Sequence, residues 1–351
     1  RVHYSSNYVN AFWSDSCFCM TYGDGDASYK VLTSLDVAGH EMTHGVTSRT
    51  AKLVYSGESG GLNEAMSDIH GTMTEFYARG GSGSTIGNTG GNWLIGEQLN
   101  ATPLRYMYKP SKDGASKDAW YAGIGSIDVH YSSGPLNRAF YFLSQGSSSV
   151  ATSDFYSSYL PAGMTGIGND KAARIAYRAL TAHMTASTNY AGARTAFQSA
   201  ASALYGATSA EYTAVGNAFT AINVGPPVPL TPVAEVEPNN TTAAPQTITI
   251  NGSSVSGTIS ATTDTDYYKV TLAPGKTLAA TLTPNGTSDY DLYIYSNNGT
   301  TQLASSIAGT GAVDAASVTN STAAAVVRYV RVKYYGGLTG ASGTYTLNLT
   351  F

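Results

Sequence analysis

The sequence predicts an α+β protein with a mostly helical first part, preceded by a few short β-strands, and an all-β sandwich of jelly-roll-like type as its second part. Apolar residues between positions 169 and 184 recur at helical spacing, and two Ala-rich helical patterns follow. Beyond position 237 the period changes to two, with Asn-Gly and Pro-Gly turns between short runs, which is typical of a sandwich. These two periods predict the fold class.

The helical part opens with two helices that carry most of the charged motif residues. A third helix begins at Pro135, because proline is favoured in a first helical turn. The stretch 80–130 is Gly-rich and shows no clear period. The pattern predicts helices at residues 34–50, 61–79, 135–145, 169–184, 190–205 and 209–222.

A Pro-rich segment separates the two parts. Four prolines fall within residues 226–232, and such a run cannot continue a helix and favours an extended spacer. We therefore predict a first domain at residues 1–225, a linker at 226–236 and a β-sandwich domain at 237–351. The linker is also where we expect proteolytic cleavage.

Composition excludes several classes of protein. Only 12% of the 351 residues are charged and 42% are hydrophobic, which is typical of a globular chain. The net charge of −4 gives no reason to expect a nucleic-acid or anionic-membrane partner. No apolar run approaches the roughly 18 residues that span a bilayer. Because the chain starts at Arg1 without a leader, we expect a processed or truncated product.

The two cysteines, Cys17 and Cys19, are separated by one residue. On a strand they would point the same way, so a bridge between them would be strained. The favoured interpretation is a pair of small strand residues without a chemical role. A redox or metal-binding role is the alternative, although no His or Cys nearby supports it.

The sequence His40-Glu41-Met42-Thr43-His44 contains the strongest chemical signal. Residues four apart share a helix face, so both imidazoles can bind one ion, and Glu64 supplies a carboxylate from the next helix. Two histidines and one carboxylate leave the fourth tetrahedral position of a zinc ion open to water, which is typical of a catalytic site. Glu41 can then take a proton from that water.

Asp68 lies four residues after Glu64 and shares its helix face. It can hold a ligand imidazole in the correct tautomer, which is the usual role of a carboxylate behind a metal ligand. A solvated helix with two surface histidines is the alternative for the whole pattern, and the second helix makes it less favoured.

Together these motifs resemble those of thermolysin-like secreted zinc endopeptidases, which are gluzincins, over residues 1–225. The resemblance implies one catalytic zinc ion held by His40, His44 and Glu64. It also implies that the β-rich N-terminal lobe of such enzymes is largely absent here. Further stretches resemble the family in the same order along the chain, namely Val2-His3-Tyr4, Asn10-Ala11-Phe12-Trp13, Tyr22-Gly23-Asp24-Gly25-Asp26, Leu104-Arg105-Tyr106-Met107 and Asp128-Val129-His130-Tyr131-Ser132-Ser133-Gly134.

The resemblance assigns catalytic roles to three residues outside the metal set. His130 and Tyr55 match donors that stabilise the developing oxyanion. Asp128 would orient the His130 imidazole, and we expect both on an extended segment from which they project to one side. The sequence alone also allows a structural alternative for each donor. Tyr55 would then be a packing residue, and His130 would be a buried histidine with its hydrogen bonds satisfied.

The resemblance also implies substrate-binding residues. Arg105 matches an arginine that binds a substrate carbonyl oxygen with two donors, and its alternative is a solvated surface charge. Asn10 and the backbone of Ala11 match an edge that pairs with an extended substrate. Three residues would form a pocket for the apolar side chain after the scissile bond, namely Val37, Leu104 and Tyr29. Their alternative is ordinary core.

A calcium site is the second metal site that the resemblance implies. Asp36, Glu75, Asn92 and the Leu94 carbonyl match positions that join the two site helices to the following loop, and oxygen ligands suit calcium. Because position 72 is Thr and position 92 is Asn, we expect one calcium ion. Solvated helix-face charges are the alternative.

The second part resembles the pre-peptidase C-terminal domain, a small β-sandwich often attached to secreted bacterial proteases. Glu237-Pro238-Asn239-Asn240, Asp264-Thr265-Asp266-Tyr267-Tyr268 and the closing strand carry this resemblance. The first hypothesis is therefore an extracellular zinc endopeptidase that cuts proteins and peptides before apolar residues. The second is an inert fragment that binds an insoluble or cell-surface partner through its sandwich.

Overall fold

The first regular elements are two antiparallel strands, β1 (Ala11–Ser14) and β2 (Cys19–Tyr22). The turn between them contains Cys17, and a disulfide joins Cys17 to Cys19 in this computed structural model. The expectation of two unlinked cysteines on one strand was wrong. Only Cys19 lies on a strand, because Phe18 adopts a φ of 49° and turns the chain between them.

The structure describes residues 1–226 and 230–351, so the middle of the predicted linker, residues 227–229, lies outside the described residues. Two compact units are present, one containing Arg1–Ala207 and the other the strands from Thr231 onward. Within the described ranges, no helix is both long enough and apolar enough to cross a membrane.

Helices α1 (Leu35–Arg49) and α2 (Gly57–Gly80) are packed in close contact. A Cβ atom added to Gly39 would lie 2.9 Å from the Cα atom of Gly71. One added to Gly71 would lie 2.3 Å from the backbone oxygen of Asp36. Since glycine alone allows the backbones to approach this closely, these two positions bring the motif side chains of both helices within hydrogen-bonding distance.

The remaining helices of the first unit bury aromatic and small side chains, among them Phe140, Phe142, Tyr190 and Phe197. The predicted helix 169–184 is divided, because residues 179–183 form a π-helical turn. The other elements are β3 (Leu94–Ile95), β4 (Arg105–Tyr106), α3 (Val129–Ser132), α4 (Gly134–Gln145), β5 (Gly146–Ser147), β6 (Met164–Thr165), α5 (Asn169–Arg178), α6 (Tyr190–Tyr205) and α7 (Ala210–Thr220).

The segment around His130 differs from the prediction. We expected an extended chain at Asp128 and His130, but α3 begins directly after Asp128. Asp128 is the N-cap of this short helix, and its carboxylate accepts the backbone N–H of His130 at 2.9 Å. Aspartate is favoured at an N-cap because it satisfies a free amide of the first turn. The side chains of Asp128 and His130 therefore meet because Asp128 caps the helix, and not because the two residues alternate along a strand.

The second unit consists of two five-stranded sheets with a common apolar core, which confirms the predicted α+β class and β-sandwich. Along β10, β11 and β16, buried residues alternate with more exposed ones. The sheets have the strand orders β13-β12-β15-β10-β8 and β14-β11-β16-β9-β7. The strands are β7 (Thr231–Ala234), β8 (Gln246–Thr247), β9 (Ser253–Thr258), β10 (Thr265–Leu272), β11 (Thr277–Pro284), β12 (Asp289–Tyr295), β13 (Gln302–Ser306), β14 (Asp314–Thr319), β15 (Val326–Gly336) and β16 (Thr344–Thr350).

Strand β7 falls where we predicted an extended spacer, so that prediction was wrong for residues 231–234. They pair in parallel with β9, from Thr231 opposite Ser253 to Ala234 opposite Ser256. Pro232 is tolerated because β7 is an edge strand, where a missing N–H need not break a ladder.

Candidate metal centre

The two histidines of α1 are close enough to share one ion. Their Nε2 atoms lie 3.1 Å apart. The Nδ1 atom of His40 lies 2.8 Å from Asp68 Oδ1, and that of His44 lies 2.8 Å from Asn63 Oδ1. Because the carboxylate and amide oxygens are acceptors, both Nδ1 atoms act as donors, so Nε2 is the atom of each ring that can bind a metal.

Glu64 on α2 completes a group of three ligand atoms. Its Oε2 atom lies 3.3 Å from His40 Nε2, and its Oε1 atom lies 3.5 Å from His44 Nε2. All three ligand atoms lie within 4.8 Å of one another. Glu64 Oε2 is buried and has no hydrogen-bond partner in the described part of the chain. Two imidazole lone pairs facing an unsatisfied carboxylate oxygen are a donor set that a metal cation can satisfy.

Asp68 fixes His40 and is itself fixed by three other donors. It accepts Arg105 Nε and Arg105 Nη2, each at 2.7 Å, and Asn137 Nδ2 at 2.8 Å. Although complete burial opposes ionisation, the Arg105 guanidinium and His40 hold the pKa of Asp68 well below its usual range. A permanently ionised Asp68 keeps the His40 Nδ1 atom protonated, as a metal ligand requires.

The electrostatics of the pair favour one positive charge between the imidazoles. Burial lowers histidine pKa values, but Glu64 and Asp68 outweigh it at His40 and raise its pKa to about 10. Burial and the charge of His40 lower the pKa of His44 to about 4. The nearby histidines hold the pKa of Glu64 well below its usual range, against the effect of burial. At neutral pH this charge is a proton on His40, and a metal cation at the same place would displace it.

Glu41 lies on the same side of α1 and is 6% exposed. Burial raises its pKa, and a hydrogen bond from the Trp13 backbone acts in the opposite direction. A buried carboxylate with a raised pKa is better suited to accept a proton than a solvated one. Glu41 and both histidines line one cleft, whose volume is about 960 Å³.

The two residues assigned as donors, Tyr55 and His130, lie beside Glu64, and Asp128 contacts His130. The hydroxyl of Tyr55 donates to Glu64 Oε1 and lies 3.4 Å from His130 Nε2. His130 Nε2 also lies 3.7 Å from Glu64 Oε2, and its Nδ1 atom lies 2.8 Å from Asp128 Oδ1. Hydrogen bonds from His130 lower the pKa of Asp128. The cap carboxylate therefore orients the imidazole toward the metal centre.

The cleft also contains the residues predicted to bind substrate. Asn10 and Ala11, at the start of β1, line it together with Arg105. Arg105 uses Nε and Nη2 on Asp68, so its position is fixed before any ligand binds. Val37, Leu104 and Tyr29 contact a small apolar cluster that includes Leu32 and Leu99.

The predicted calcium ligands lie near one another in a setting rich in protein donors. Asp36 Oδ2 accepts the Gly96 N–H at 2.5 Å, and Glu75 Oε1 lies 2.6 Å from Arg79 Nη1. Glu75 Oε2 accepts the Asn92 N–H at 3.3 Å, and the Leu94 N–H donates to Asn92 Oδ1 at 2.8 Å.

Sequence reasoning missed Glu97, Asn63 and Asn137. Burial, Glu97 and more weakly Asp36 raise the pKa of Glu75. Glu97 accepts Asn92 Nδ2 at 3.0 Å, and its Oε2 atom is buried without a partner among the described residues.

Asn63 and Asn137 belong to the metal centre. Asn63 directly precedes Glu64 in the motif, which was a usable signal in the sequence. Asn137 is 69 positions from Asp68, and its spacing gave no signal.

Two family models match the first unit. Residues 1–48 match the thermolysin metallopeptidase catalytic domain, and residues 51–224 match the thermolysin metallopeptidase α-helical domain. This chain belongs to the thermolysin metallopeptidase family. The resemblance stated from the motifs is thereby confirmed for the first part of the chain.

Comparison with individual proteins agrees with this family. The chain is 58% identical over 201 residues to the transglutaminase-activating metalloprotease of Streptomyces mobaraensis, which covers 55% of this chain and 25% of that protein. It therefore spans about a quarter of the length of this curated relative. The precursor of protealysin, a metalloproteinase from Serratia proteamaculans, matches with 29% identity and a TM-score of 0.50, over 64% of this chain and 68% of that one.

A third match concerns the second unit. The pre-peptidase C-terminal domain of a Bacillus anthracis collagenase matches 36% of this chain and 97% of that one, with 15% identity and a TM-score of 0.22. The pre-peptidase assignment of the sandwich stays a prediction.

Proposed function

We propose that the chain is a zinc-dependent endopeptidase in which His40, His44 and Glu64 bind the metal. The observation that carries the proposal is the convergence of the two histidine Nε2 atoms and an unsatisfied Glu64 oxygen inside a cleft. Bound zinc would supply a Lewis acid that polarises the peptide carbonyl and lowers the pKa of water.

Each remaining side chain then has one task. Glu41 takes the proton of the attacking water and passes it to the leaving nitrogen. The Tyr55 hydroxyl and the His130 imidazole donate to the carbonyl oxygen as negative charge develops on it. Asp128 orients His130, and Asp68 orients His40 and Arg105.

The substrate preference that we propose is an apolar side chain directly after the scissile bond. Val37 and Leu104 lie beside buried Leu32 and Leu99 at one end of the cleft, so this end favours apolar surface. Asn10 and the Ala11 backbone would pair with the extended substrate, and Arg105 would bind its carbonyl oxygen.

We further propose one calcium ion near Asp36, Glu75, Asn92 and the Leu94 carbonyl, with Glu97 as an added carboxylate. Carboxylate and carbonyl oxygens are the ligands that calcium prefers. Residues 1–225 would form the catalytic domain, and residues 237–351 a pre-peptidase C-terminal domain. Extracellular action on proteins or peptides follows from the same proposal.

The test is hydrolysis of a blocked peptide with a Gly-Leu bond, with and without a zinc chelator. We expect chelator-sensitive turnover, its loss in Glu41→Gln with zinc retained, and loss of both zinc and turnover in His44→Ala. His3→Ala is the matched control, because His3 is an exposed histidine that pairs with Asp24 and does not line the cleft. Unchanged turnover in Glu41→Gln would remove Glu41 as the base.

A further inference from the structure

The end of the cleft beyond His44 differs chemically from the end near Val37. Val37, Glu41, His44 and Ser48 all line the cleft, and their spacing follows one face of α1. Since the helix rises 1.5 Å per residue, Ser48 lies about 6 Å beyond His44 along its axis. If the apolar end receives the residue after the scissile bond, this opposite end receives residues that precede it.

The turn between β1 and β2 packs against the last turn of α1. Asp15 accepts Trp13 Nε1 at 2.9 Å and Ser48 Oγ at 2.7 Å. Arg49 Nη1 lies 3.4 Å from Asp15 Oδ1, and its guanidinium lies over the Phe18 ring. The Asp15 carboxylate is therefore already bound by protein donors, and Arg49 offsets its charge.

Lys52 is the remaining charged residue at this end of the cleft. It is exposed, lines the cleft and donates its backbone N–H to the Thr47 carbonyl at 2.7 Å. Its φ of 56° is in the left-handed region, where a residue with a long side chain is uncommon and glycine would be less strained. No carboxylate lies in ion-pair contact with its ammonium group within residues 1–226 and 230–351.

The charges of this end sum to one positive charge. Asp15 contributes −1, while Arg49 and Lys52 contribute +1 each. Of these two cations, Arg49 pairs with Asp15 and Lys52 has no carboxylate partner among the described residues, so its ammonium group is available to a bound peptide. A lysine side chain is a flexible point charge and tolerates a ligand carboxylate at more than one position.

We infer that Lys52 selects substrates with an acidic side chain two or three residues before the scissile bond. The inference rests on the proposed peptidase function and adds a charge preference to it. An extended chain advances about 3.3 Å per residue, so the second residue before the bond lies near Ser48 and the third is nearer Lys52. The favoured ligand is thus a peptide with Glu or Asp at that place.

Two blocked peptides test the inference. They share a Gly-Leu scissile bond and carry either Glu or Lys at the third residue before it. We expect wild type to hydrolyse the Glu peptide about three- to fivefold faster in kcat/KM, as for an exposed ion pair. Lys52→Gln should abolish the preference, Lys52→Glu should reverse it, and about 1 M salt should suppress it.

Lys117→Glu is the matched control, because Lys117 is exposed in the same unit but does not line the cleft, and its ratio should equal that of wild type. Lys52→Gly suits the positive φ and should lose the preference without losing stability. A preference that survives in Lys52→Glu would overturn the inference.

A binding measurement separates this inference from the peptidase proposal. The same peptides, labelled for fluorescence anisotropy, are titrated into zinc-loaded full-length Glu41→Gln protein with Lys or Glu at position 52. If wild type hydrolyses neither peptide but affinity still follows the charge at position 52, the peptidase proposal fails and Lys52 selects acidic peptides in binding alone. If hydrolysis occurs but affinity ignores position 52, only the inference fails.

Discussion

Each unit of this protein contains an aspartate with no exposed surface, Asp68 in the first and Asp266 in the second. Asp68 is surrounded by Arg105, His40 and the Asn137 amide. Asp266 Oδ2 lies 2.5 Å from the Tyr345 hydroxyl oxygen, while three further carboxylates lie near enough to repel its charge, namely those of Glu235, Glu237 and Asp264. The same side chain is thus buried beside cations in one unit and beside anions in the other.

The ionisation of the two aspartates differs accordingly. The Arg105 guanidinium holds the pKa of Asp68 well below its usual range despite burial. Burial and the neighbouring carboxylates raise the pKa of Asp266 to about 9. A buried carboxyl group therefore stays charged where a cation compensates desolvation, and otherwise takes up a proton. The first arrangement suits a metal centre, and the second suits a structural hydrogen-bond network.

That network joins the start of the sandwich to two of its strands. Glu235 accepts the hydroxyl groups of Tyr268 and Tyr345 at 2.7 and 2.8 Å, and the two hydroxyl oxygens lie 2.5 Å apart. Glu235 also accepts the Thr258 N–H at 2.7 Å. Phenols can donate to carboxylates without a counter-charge, so the network is satisfied without a guanidinium.

The largest expected effect comes from making the same substitution at both aspartates. Asp68→Asn should destabilise the first unit by about 3–5 kcal/mol, because it leaves Arg105 buried without its counter-charge. It should also weaken zinc binding about 10- to 100-fold, because the amide no longer fixes His40. Urea denaturation and competition with a zinc chelator measure the two effects.

Asp266→Asn is the matched control for this contrast. A protonated carboxyl and an amide have similar shape and neither is charged, so we expect a change below about 1 kcal/mol at pH 5. Equal losses of stability at the two positions would contradict the assigned ionisation states.

The next effect is an opposite dependence on pH. The folded-state pKa of Asp266 is raised from 3.8 to about 9, so its contribution to stability is complete below about pH 4 and is lost as pH rises toward 9. The folded-state pKa of Asp68 is lowered, so its contribution is present above about pH 4 and is lost as pH falls further. Hydrogen exchange in β10 and β16 of the full chain measures the first dependence.

Asp266→Asn supplies the control for the pH measurement. In Asp266→Asn, β10 and β16 should lose much less protection between pH 5 and pH 8 than they do in the wild type. Exchange in α1 and α2 should be unchanged. Loss of protection that is equally steep in Asp266→Asn would assign the pH dependence to another group.

Smaller stability effects than that of Asp68→Asn are expected at two tyrosines that donate to these carboxylate clusters. Tyr345 is 4% exposed, so Tyr345→Phe should cost about 1–2 kcal/mol by leaving buried oxygens without a donor. Tyr55 is 52% exposed, so Tyr55→Phe should change stability by less than about 0.5 kcal/mol. If Tyr55 stabilises the oxyanion, its loss should lower kcat about 100-fold.

Thermal unfolding and steady-state kinetics on both variants measure these effects. A large stability loss in Tyr55→Phe with unchanged kcat would make Tyr55 a packing residue, which is the alternative that its sequence allowed. A kcat loss in Tyr345→Phe would contradict its purely structural assignment.

The features that depend on local spacing could be predicted from the amino-acid sequence. His40 and His44 share a face because they are four apart on a helix, and Asp68 follows Glu64 by the same rule. The alternation along β10 and β16 likewise predicted the sandwich, since side chains on a strand point to opposite sides in turn. These relations hold wherever the helix or strand is placed.

The way in which distant segments meet depends on the packing of the folded chain. The contact between Gly39 and Gly71 brings α2 close enough for Asp68 to reach His40, and Asn137 completes the same network from far along the chain. Backbone turns also overrode strand-based expectations at Cys17–Cys19, where a positive φ at Phe18 allows the disulfide. Periodicity describes one element at a time, whereas such contacts depend on packing between elements, so they could not be predicted from the sequence.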